Sequence, residues 1–327
     1  MSKILIAGGA GFIGFHMLEA LLHNDKNNVH IIDNLERGKI DAEIKALIGK
    51  YDIKFIKADL TSKNAFKKLD KDYDYIYDLA ALIGVRNVIK RPDRVLIENT
   101  TGLFNLLEWV KSTQKKLKRF VFASTSEVYA GTSKHFGVPI PTDEKVPLCL
   151  DDIRSPRTTY ALSKIAGESA CYQYSAKYNV PITIVRYHNV YGPRMGYDHV
   201  IPELIIKAKN SDEFLEVFSI DHTRAFCYAS DAVEATIGLA ESEGAAGETV
   251  NVGNGDEEIT IKNLAEKIVS LVNPKLTIKP AGVQEGSPKR RCPDITKLKR
   301  LLNYSPKMPL SEGLVKIWEW YKRQKER

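Results

Sequence analysis

Lys3-Ile4-Leu5-Ile6-Ala7-Gly8-Gly9-Ala10-Gly11-Phe12-Ile13-Gly14 decides how this chain folds. A short apolar run, the pattern of a buried strand, breaks into glycines and resumes with helical periodicity. Gly8, Gly11 and Gly14 keep G-x-x-G-x-x-G spacing. The first permits a tight turn, the second lets backbone N–H groups approach a pyrophosphate, and the third lets the helix pack on the strand. A glycine turn before an ordinary buried helix would look the same. What separates the two readings lies downstream: Val29-His30-Ile31-Ile32 reads as a second strand and ends on Asp33, near the distance at which an acid meets an adenosine ribose.

Working outward, the chain alternates. Strand-like runs at 3–7, 29–33, 53–58, 74–79, 118–124 and 181–187 are separated by apolar-periodic segments near 12–23, 41–48, 63–69, 93–113 and 158–178. This predicts an α/β fold, a doubly wound parallel (Rossmann) sheet with ligands gathered at the carboxyl ends of its strands. After Arg186 the pattern changes. A turn at Gly192-Pro193-Arg194 leads to an apolar run from Val200 to Ala208 and a charged connection at 209–213. Helices are expected at 231–242, 260–272 and 311–325, with a strand at 249–252. Residues 1–186 are expected to form the dinucleotide-binding domain, with the chain returning to it around 224–243. Residues 187–327 should supply most of a smaller substrate-binding lobe.

Composition narrows the classes. A chain of 327 residues, 43% apolar, can bury a sizeable core. Cys149, Cys171, Cys227 and Cys292 are scattered without C-x-x-C pairing, which favours free thiols in a reducing compartment over a disulfide frame or a metal site. Lys3 and the apolar stretch after it resemble the start of a signal peptide, but the glycines and Asp33 explain them better as a first βαβ unit. No apolar run is long enough to span a membrane, so a soluble, cytoplasmic protein is expected. The net charge of +7 sits partly in Lys289-Arg290-Arg291, Lys297, Lys299-Arg300 and the tail at 322–327. Solvated helix faces account for it, as would an anionic ligand met by Arg290 or Arg291. No nucleic-acid-binding motif is present, and nucleic acid is not an expected partner.

Two segments carry chemistry. In Tyr160-Ala161-Leu162-Ser163-Lys164 the tyrosine and lysine share a helix face, so the ammonium is expected to sit near the phenol and lower its pKa. The phenolate could then remove a hydroxyl proton while a hydride leaves. Ser124-Thr125-Ser126-Glu127 ends the apolar strand Arg119-Phe120-Val121-Phe122-Ala123, with Thr125 and Glu127 on one side if the chain stays extended. Turn or cap chemistry is the alternative there.

With those residues in place, the chain resembles the extended short-chain dehydrogenase/reductases, specifically the NAD-dependent nucleotide-sugar epimerase/dehydratase family. The likeness covers nearly the whole chain: the glycine fingerprint, Asp33-Asn34-Leu35, Ala58-Asp59-Leu60, Leu79-Ala80-Ala81, Asn99, Ser124 to Tyr129, Tyr160 with Lys164, Arg186 to Arg194, Thr223-Arg224-Ala225-Phe226, and Arg291 ahead of Asp294. It implies that Asp33 holds the adenosine ribose of NAD and disfavours NADP, with Arg37 able to soften that preference. Gly8, Gly11, Phe12, Ile13, Gly14, Asn34, Asn99 and Tyr187 would join the cofactor site. Asp59 and Leu60 would flank the adenine, and Leu79, Ala80 and Ala81 would line the channel. Thr125, with Ser126 beside it, would bond the sugar oxygen being oxidised. Asn189, Arg224 and Arg291 would hold the diphosphate and nucleoside of a nucleotide-diphosphate sugar. Dimerisation through the helices at 93–113 and 158–178 is also implied.

The resemblance further implies a 4-keto sugar intermediate, with the reduced cofactor reoxidised inside the cycle. Glu127 argues for chemistry at C5 and C6, and Gly192-Pro193-Arg194-Met195 with Thr223 to Phe226 lies nearest to UDP-glucuronate decarboxylases. A 4,6-dehydratase and a 4-epimerase remain alternatives; a carbonyl reductase consuming NAD(P)H and a non-catalytic NAD-binding module are more distant ones. Two stretches depart from the family pattern near the expected sugar site: Ala130-Gly131 after Val128-Tyr129, and Ser219-Ile220-Asp221-His222 ahead of Arg224.

Overall fold

The computed structural model describes residues 2–24, 26–284 and 286–324, and all of their side chains except that of Val85. Its centre is a parallel sheet of seven strands in the order Thr249–Val252, Ile182–Tyr187, Arg119–Thr125, Tyr75–Asp78, Lys3–Ala7, Asn28–Asp33, Lys54–Lys57. The six expected strands are all present. The seventh is the 249–252 segment, which pairs with Ile182–Tyr187 from Thr249↔Ile184 to Val252↔Tyr187.

Side-chain alternation divides the sheet's residues between two cores. Ile4, Ile6, Ile31, Val121, Val185 and Val250 face the helices Phe12–Leu22 and Ala229–Glu241. Leu5, Ala7, Ile32, Ile76, Phe120, Phe122 and Ile184 face Pro92–Thr113 and Thr158–Tyr178. A third core joins Val200–Lys209, Ile261–Val272 and Leu310–Lys322 in the C-terminal lobe.

Several expectations need correcting. The segment at 63–69 forms a 3-10 helix, Lys63–Lys68, because it buries only Ala65 and Phe66. Short helices at Val85–Lys90, Ala130–His135 and Thr296–Leu302 carry too few residues to show a period. The last helix, read to 325, ends at Lys322; residues 325–327 lie outside the described residues.

The strand order reverses between Lys3–Ala7 and Tyr75–Asp78, which opens a crevice at their carboxyl ends. The C-terminal lobe closes it from above through a small three-stranded sheet of Glu258–Thr260, Thr223–Ala225 and Arg290–Arg291. Among the described residues, no helix is long and apolar enough to cross a membrane.

Candidate active site

One cavity of about 1550 Å³ fills the crevice, and every site residue singled out from the sequence lines it. Its cofactor half is built by clearance. Gly8 holds φ +80°, and a Cβ there would lie 2.9 Å from the Leu79 carbonyl and the Ala80 nitrogen. At Gly14 a Cβ would lie 2.2 Å from the Gly8 oxygen, and at Gly11 3.2 Å from that same oxygen. No side chain caps the helix Phe12–Leu22 and no acid stands in its first turn, so its N–H groups and positive dipole end face the cavity. A diphosphate fits this cradle.

Asp33 ends its strand nearly buried. It accepts hydrogen bonds from the Ala10 N–H at 3.1 Å and the Leu35 N–H at 2.8 Å, one on each carboxylate oxygen. Burial raises its pKa, and those two bonds pull it back. Each oxygen keeps a lone pair for a ribose hydroxyl. Asn34 accepts from the Glu36 N–H and Asp59 from Thr61, which shapes the two turns beside Asp33 at this end of the cavity. These features fit NAD.

Two residues expected to contact the cofactor hold neighbouring elements together. Asn99 accepts from the Leu82 N–H at 2.7 Å and donates to the Leu82 carbonyl and the Ser163 hydroxyl, each at 3.2 Å. It pins the wall after Leu79-Ala80-Ala81 to the helix that carries Tyr160. The Tyr187 hydroxyl bonds Thr236 at 2.8 Å, so its polar end is committed to helix packing.

Tyr160, Thr125, Ser126 and Glu127 meet deeper in the cavity. The chain does not stay extended here. Thr125 caps a 3-10 turn, Ser126–Tyr129, by accepting from the Glu127 N–H at 3.2 Å, which lets one hydroxyl both shape the turn and line the cavity. Burial pushes the Tyr160 phenol up, opposed by the neighbouring Thr125 hydroxyl and Arg37 and reinforced by the Glu127 charge. This corrects the expected role of Lys164 at the phenol. The lysine Nζ instead donates to the Ala123 carbonyl at 2.7 Å and lies 4.7 Å from the centre of the Phe122 ring. A buried ammonium takes the nearest strand-end carbonyl.

Glu127 forms an ion pair with Arg291 at 2.7 Å, and that guanidinium holds its carboxyl below the usual range, with Arg224 and Arg157 adding to the effect. Sheet register explains the crowding of cations: Arg291 is paired directly with Arg224 across parallel strands. Like charges opposite one another repel, and the Glu127 carboxylate on Arg291 offsets that repulsion. Burial and the Arg291 charge push Arg224 down to about 10, and its donors go to the Thr223 carbonyl at 2.6 Å and the Ser287 hydroxyl at 2.7 Å. Arg290 points the other way, bound to Glu258 by two contacts of 2.7 Å. Of the two arginines weighed as anion contacts, Arg291 is the one aimed at Glu127. Asn189, at φ +41°, donates to the Ala225 carbonyl at 2.9 Å and fixes the strand that bears Arg224.

Both departures from the family pattern acquire a reason. At Gly131 a Cβ would lie 2.0 Å from the Cys149 carbonyl, so glycine there admits the cavity-lining loop at 149–151. Ser219, at φ +52°, donates its N–H to the Gly282 carbonyl at 2.7 Å and accepts from the Gln284 N–H at 2.9 Å. This clasps the strap that carries Ser287 to Arg291.

Behind the site runs a buried polar rail that the sequence did not announce. Ser124 bonds Glu168 at 2.5 Å, Glu168 grips Arg186 at 2.9 and 2.6 Å, and Arg186 reaches the Tyr129 hydroxyl at 2.7 Å. Tyr129 and His188 both meet the Asn251 side-chain oxygen, at 2.9 and 3.0 Å. Asn251 donates onward to the carbonyls of Thr142 and Asp294, tying the lobes together. Asp78 was also missed; its only signal is an acid ending an apolar strand. Among the described residues no cluster of three or more His, Cys, Asp or Glu is placed to hold a metal ion.

The profile of the NAD dependent epimerase/dehydratase family matches residues 4–253. A UDP-N-acetyl-alpha-D-glucosaminuronate decarboxylase of Bacillus cytotoxicus is 34% identical over 98% of both chains. UDP-glucuronic acid decarboxylase 5 of Arabidopsis thaliana is 33% identical over 95% of this chain and 87% of its own. A crystal structure of a UDP-glucuronic acid 4-epimerase variant from Bacillus cereus, bound to UDP-4-deoxy-4-fluoro-glucuronic acid and NAD, superposes with a TM-score of 0.85. It is 31% identical and covers 98% of this chain and 99% of its own.

Proposed function

Because the chain belongs to the NAD dependent epimerase/dehydratase family, we propose that it decarboxylates a UDP-linked uronic acid through a 4-keto intermediate. The cradle at Gly8, Gly11 and Gly14 would hold the cofactor diphosphate, Asp33 its adenosine ribose, and Leu79 to Ala81 its channel wall. When bound there, NAD supplies a hydride acceptor that later becomes the donor.

In its ionised form Tyr160 takes the C4 hydroxyl proton while Thr125 hydrogen-bonds the same oxygen, and loss of a hydride from C4 leaves a ketone. The C6 carboxylate is then β to that ketone. The C5–C6 bond breaks, CO₂ leaves, and the electron pair passes into a C4 enolate that the Tyr160 and Thr125 hydroxyls stabilise by hydrogen bonding. C5 takes a proton from water held by the ionised Glu127, the hydroxide left behind combines with the released CO₂ as bicarbonate, the hydride returns to C4, and Tyr160 gives its proton back to O4. Arg224 and Arg291, forced side by side, hold the diphosphate end; Arg is suited to this because its planar donors meet two oxygens at once.

The observation that carries the reading is Glu127, kept ionised by Arg291 within the Thr125–Tyr160 pocket. Simple inversion at C4 needs no such group. The relatives with decarboxylase names support the same choice. Epimerisation at C4 is the second reading, favoured by the likeness to the UDP-glucuronic acid 4-epimerase structure. Mass spectrometry of products from UDP-glucuronate and related nucleotide sugars separates the two. Loss of CO₂ supports decarboxylation, an isomer of unchanged mass refutes it, and loss of water points to a dehydratase.

Residues 1–186 are proposed as the main cofactor-binding part and 187–327 as mostly substrate-binding. A homodimer is proposed through Pro92–Thr113 and Thr158–Tyr178, which pack together and leave Ile97, Phe104, Tyr172 and Tyr178 exposed. Light scattering on the eluting protein tests it.

A further inference from the structure

We propose that Asp78 is a positioning residue whose buried carboxylate is the counter-charge that keeps Lys164 protonated in the layer beneath the strand end at Ala123. Only the turnover arm of its test rests on the catalytic reading above; the charge relation stands on geometry.

Asp78 is paired with Ala7 on one side and Phe122 on the other. Paired residues in a sheet project to the same face. Ala7 and Phe122 face the layer covered by Thr158–Tyr178, so Asp78 points into that layer too. Lys164 enters it from the helix, with its Nζ above the Phe122 ring and on the carbonyl of the next residue, Ala123. Both side chains belong to residues only 3% exposed.

An isolated buried ammonium sheds its proton. The groups facing Lys164 are few. Glu168, one turn along the same helix, is held by Arg186 and Ser124. The Cys171 thiol is pushed far up by burial and stays neutral. That leaves Asp78 as the acid whose charge is not already balanced by a guanidinium. Burial pushes Lys164 down while Asp78 opposes it, and burial pushes Asp78 up to about 6 while Lys164 opposes that. Each group therefore favours the charged form of the other. The nearby Ala80 N–H also favours the Asp78 carboxylate, at the start of the cavity wall Leu79 to Ala81.

The test is a titration of the whole chain with NAD, labelled with [ε-13C]lysine and followed by NMR; the Lys164 signal is the one lost in Lys164→Met. In Asp78→Asn the Lys164 midpoint should fall by about one to three pH units, and in Asp78→Glu it should stay near that of the unsubstituted protein. The turnover ratio of unsubstituted protein to Asp78→Asn should rise from near unity at acid pH by about tenfold per unit above the new midpoint. An unmoved midpoint, or a turnover loss equal at every pH, overturns the proposal. Should Asp78→Asn fail to fold, the unsubstituted protein still decides: its Lys164 signal must show a second inflection near pH 6 as Asp78 titrates, and a single inflection overturns the idea. A moved midpoint in a protein that turns over no uronate leaves this inference standing and sinks the decarboxylase reading.

Discussion

Replacing Glu127 with Gln should split the reaction into a half that survives and a half that stops. The amide oxygen can still accept from the Arg291 Nη1 that now lies 2.7 Å from the carboxylate, so the turn at Ser126–Tyr129 keeps its shape. Only the charge is lost. Proton handling at one carbon centre is worth about 10²–10⁴-fold in rate, or about 2.7–5.4 kcal/mol at 1.36 kcal/mol per factor of ten, and product formation should fall by that factor. Oxidation at C4 has no use for Glu127. The Glu127 charge raises the Tyr160 phenol, so removing it lowers the phenol's pKa. The limb on which C4 oxidation rises with pH should therefore move to lower pH. Single-turnover mixing with UDP-glucuronate reads both halves, reduced cofactor by absorbance and pentose or CO₂ by mass spectrometry. Product formation within about threefold of the unsubstituted rate would place the C5 proton elsewhere and refute the role given to Glu127, since even the lower end of a general acid–base effect exceeds it.

Other substitutions probe the remaining parts. Tyr160→Phe should abolish turnover while a fluorescence titration still shows NAD binding; a folded variant that no longer binds NAD would contradict the assignment. Gly14→Ala places a methyl 2.2 Å from the Gly8 oxygen, backbone against backbone, and should cost at least about 1–3 kcal/mol in thermal unfolding and lose NAD. In Asp33→Ala the bonds to Ala10 and Leu35 vanish, and NADP should gain on NAD by about tenfold or more in competition binding, about 1.4 kcal/mol. Ser287→Ala frees the Arg224 Nη2, and KM for the nucleotide sugar should rise about tenfold with kcat nearly unchanged, as for loss of one charged hydrogen bond.

The strands were legible because each is an apolar run ending in a chemically distinctive residue. Gly8, Asp33 and Thr125 mark three such ends, and the cavity gathers there because parallel strands leave their carboxyl ends on one edge. Local spacing also carried Tyr160 and Lys164 to one helix face. What spacing could not reveal is where a flexible side chain finds its partner: Lys164 reaches a carbonyl 41 residues away in sequence, and Arg291 meets Glu127 across 164. The register that sets Arg291 beside Arg224 joins two-residue and three-residue strands, too short to leave a periodic signal. The rail from Ser124 to Asn251 was equally silent, since each member satisfies its neighbour and none does so locally.

The strand Thr249–Val252 has a consequence for how this protein can be cut, fused or made. It is delivered to the sheet only after residues 188–248 have been laid down, so a ribosome exposes Ile182-Thr183-Ile184-Val185 well before their partner emerges. A fragment stopping near 187 would keep the whole glycine cradle and yet present a bare apolar edge, an invitation to pair with another chain. The nucleotide half is therefore no transferable cassette. Any viable splice, permutation or fusion has to keep residues 3–252 continuous, or bring the closing strand back some other way.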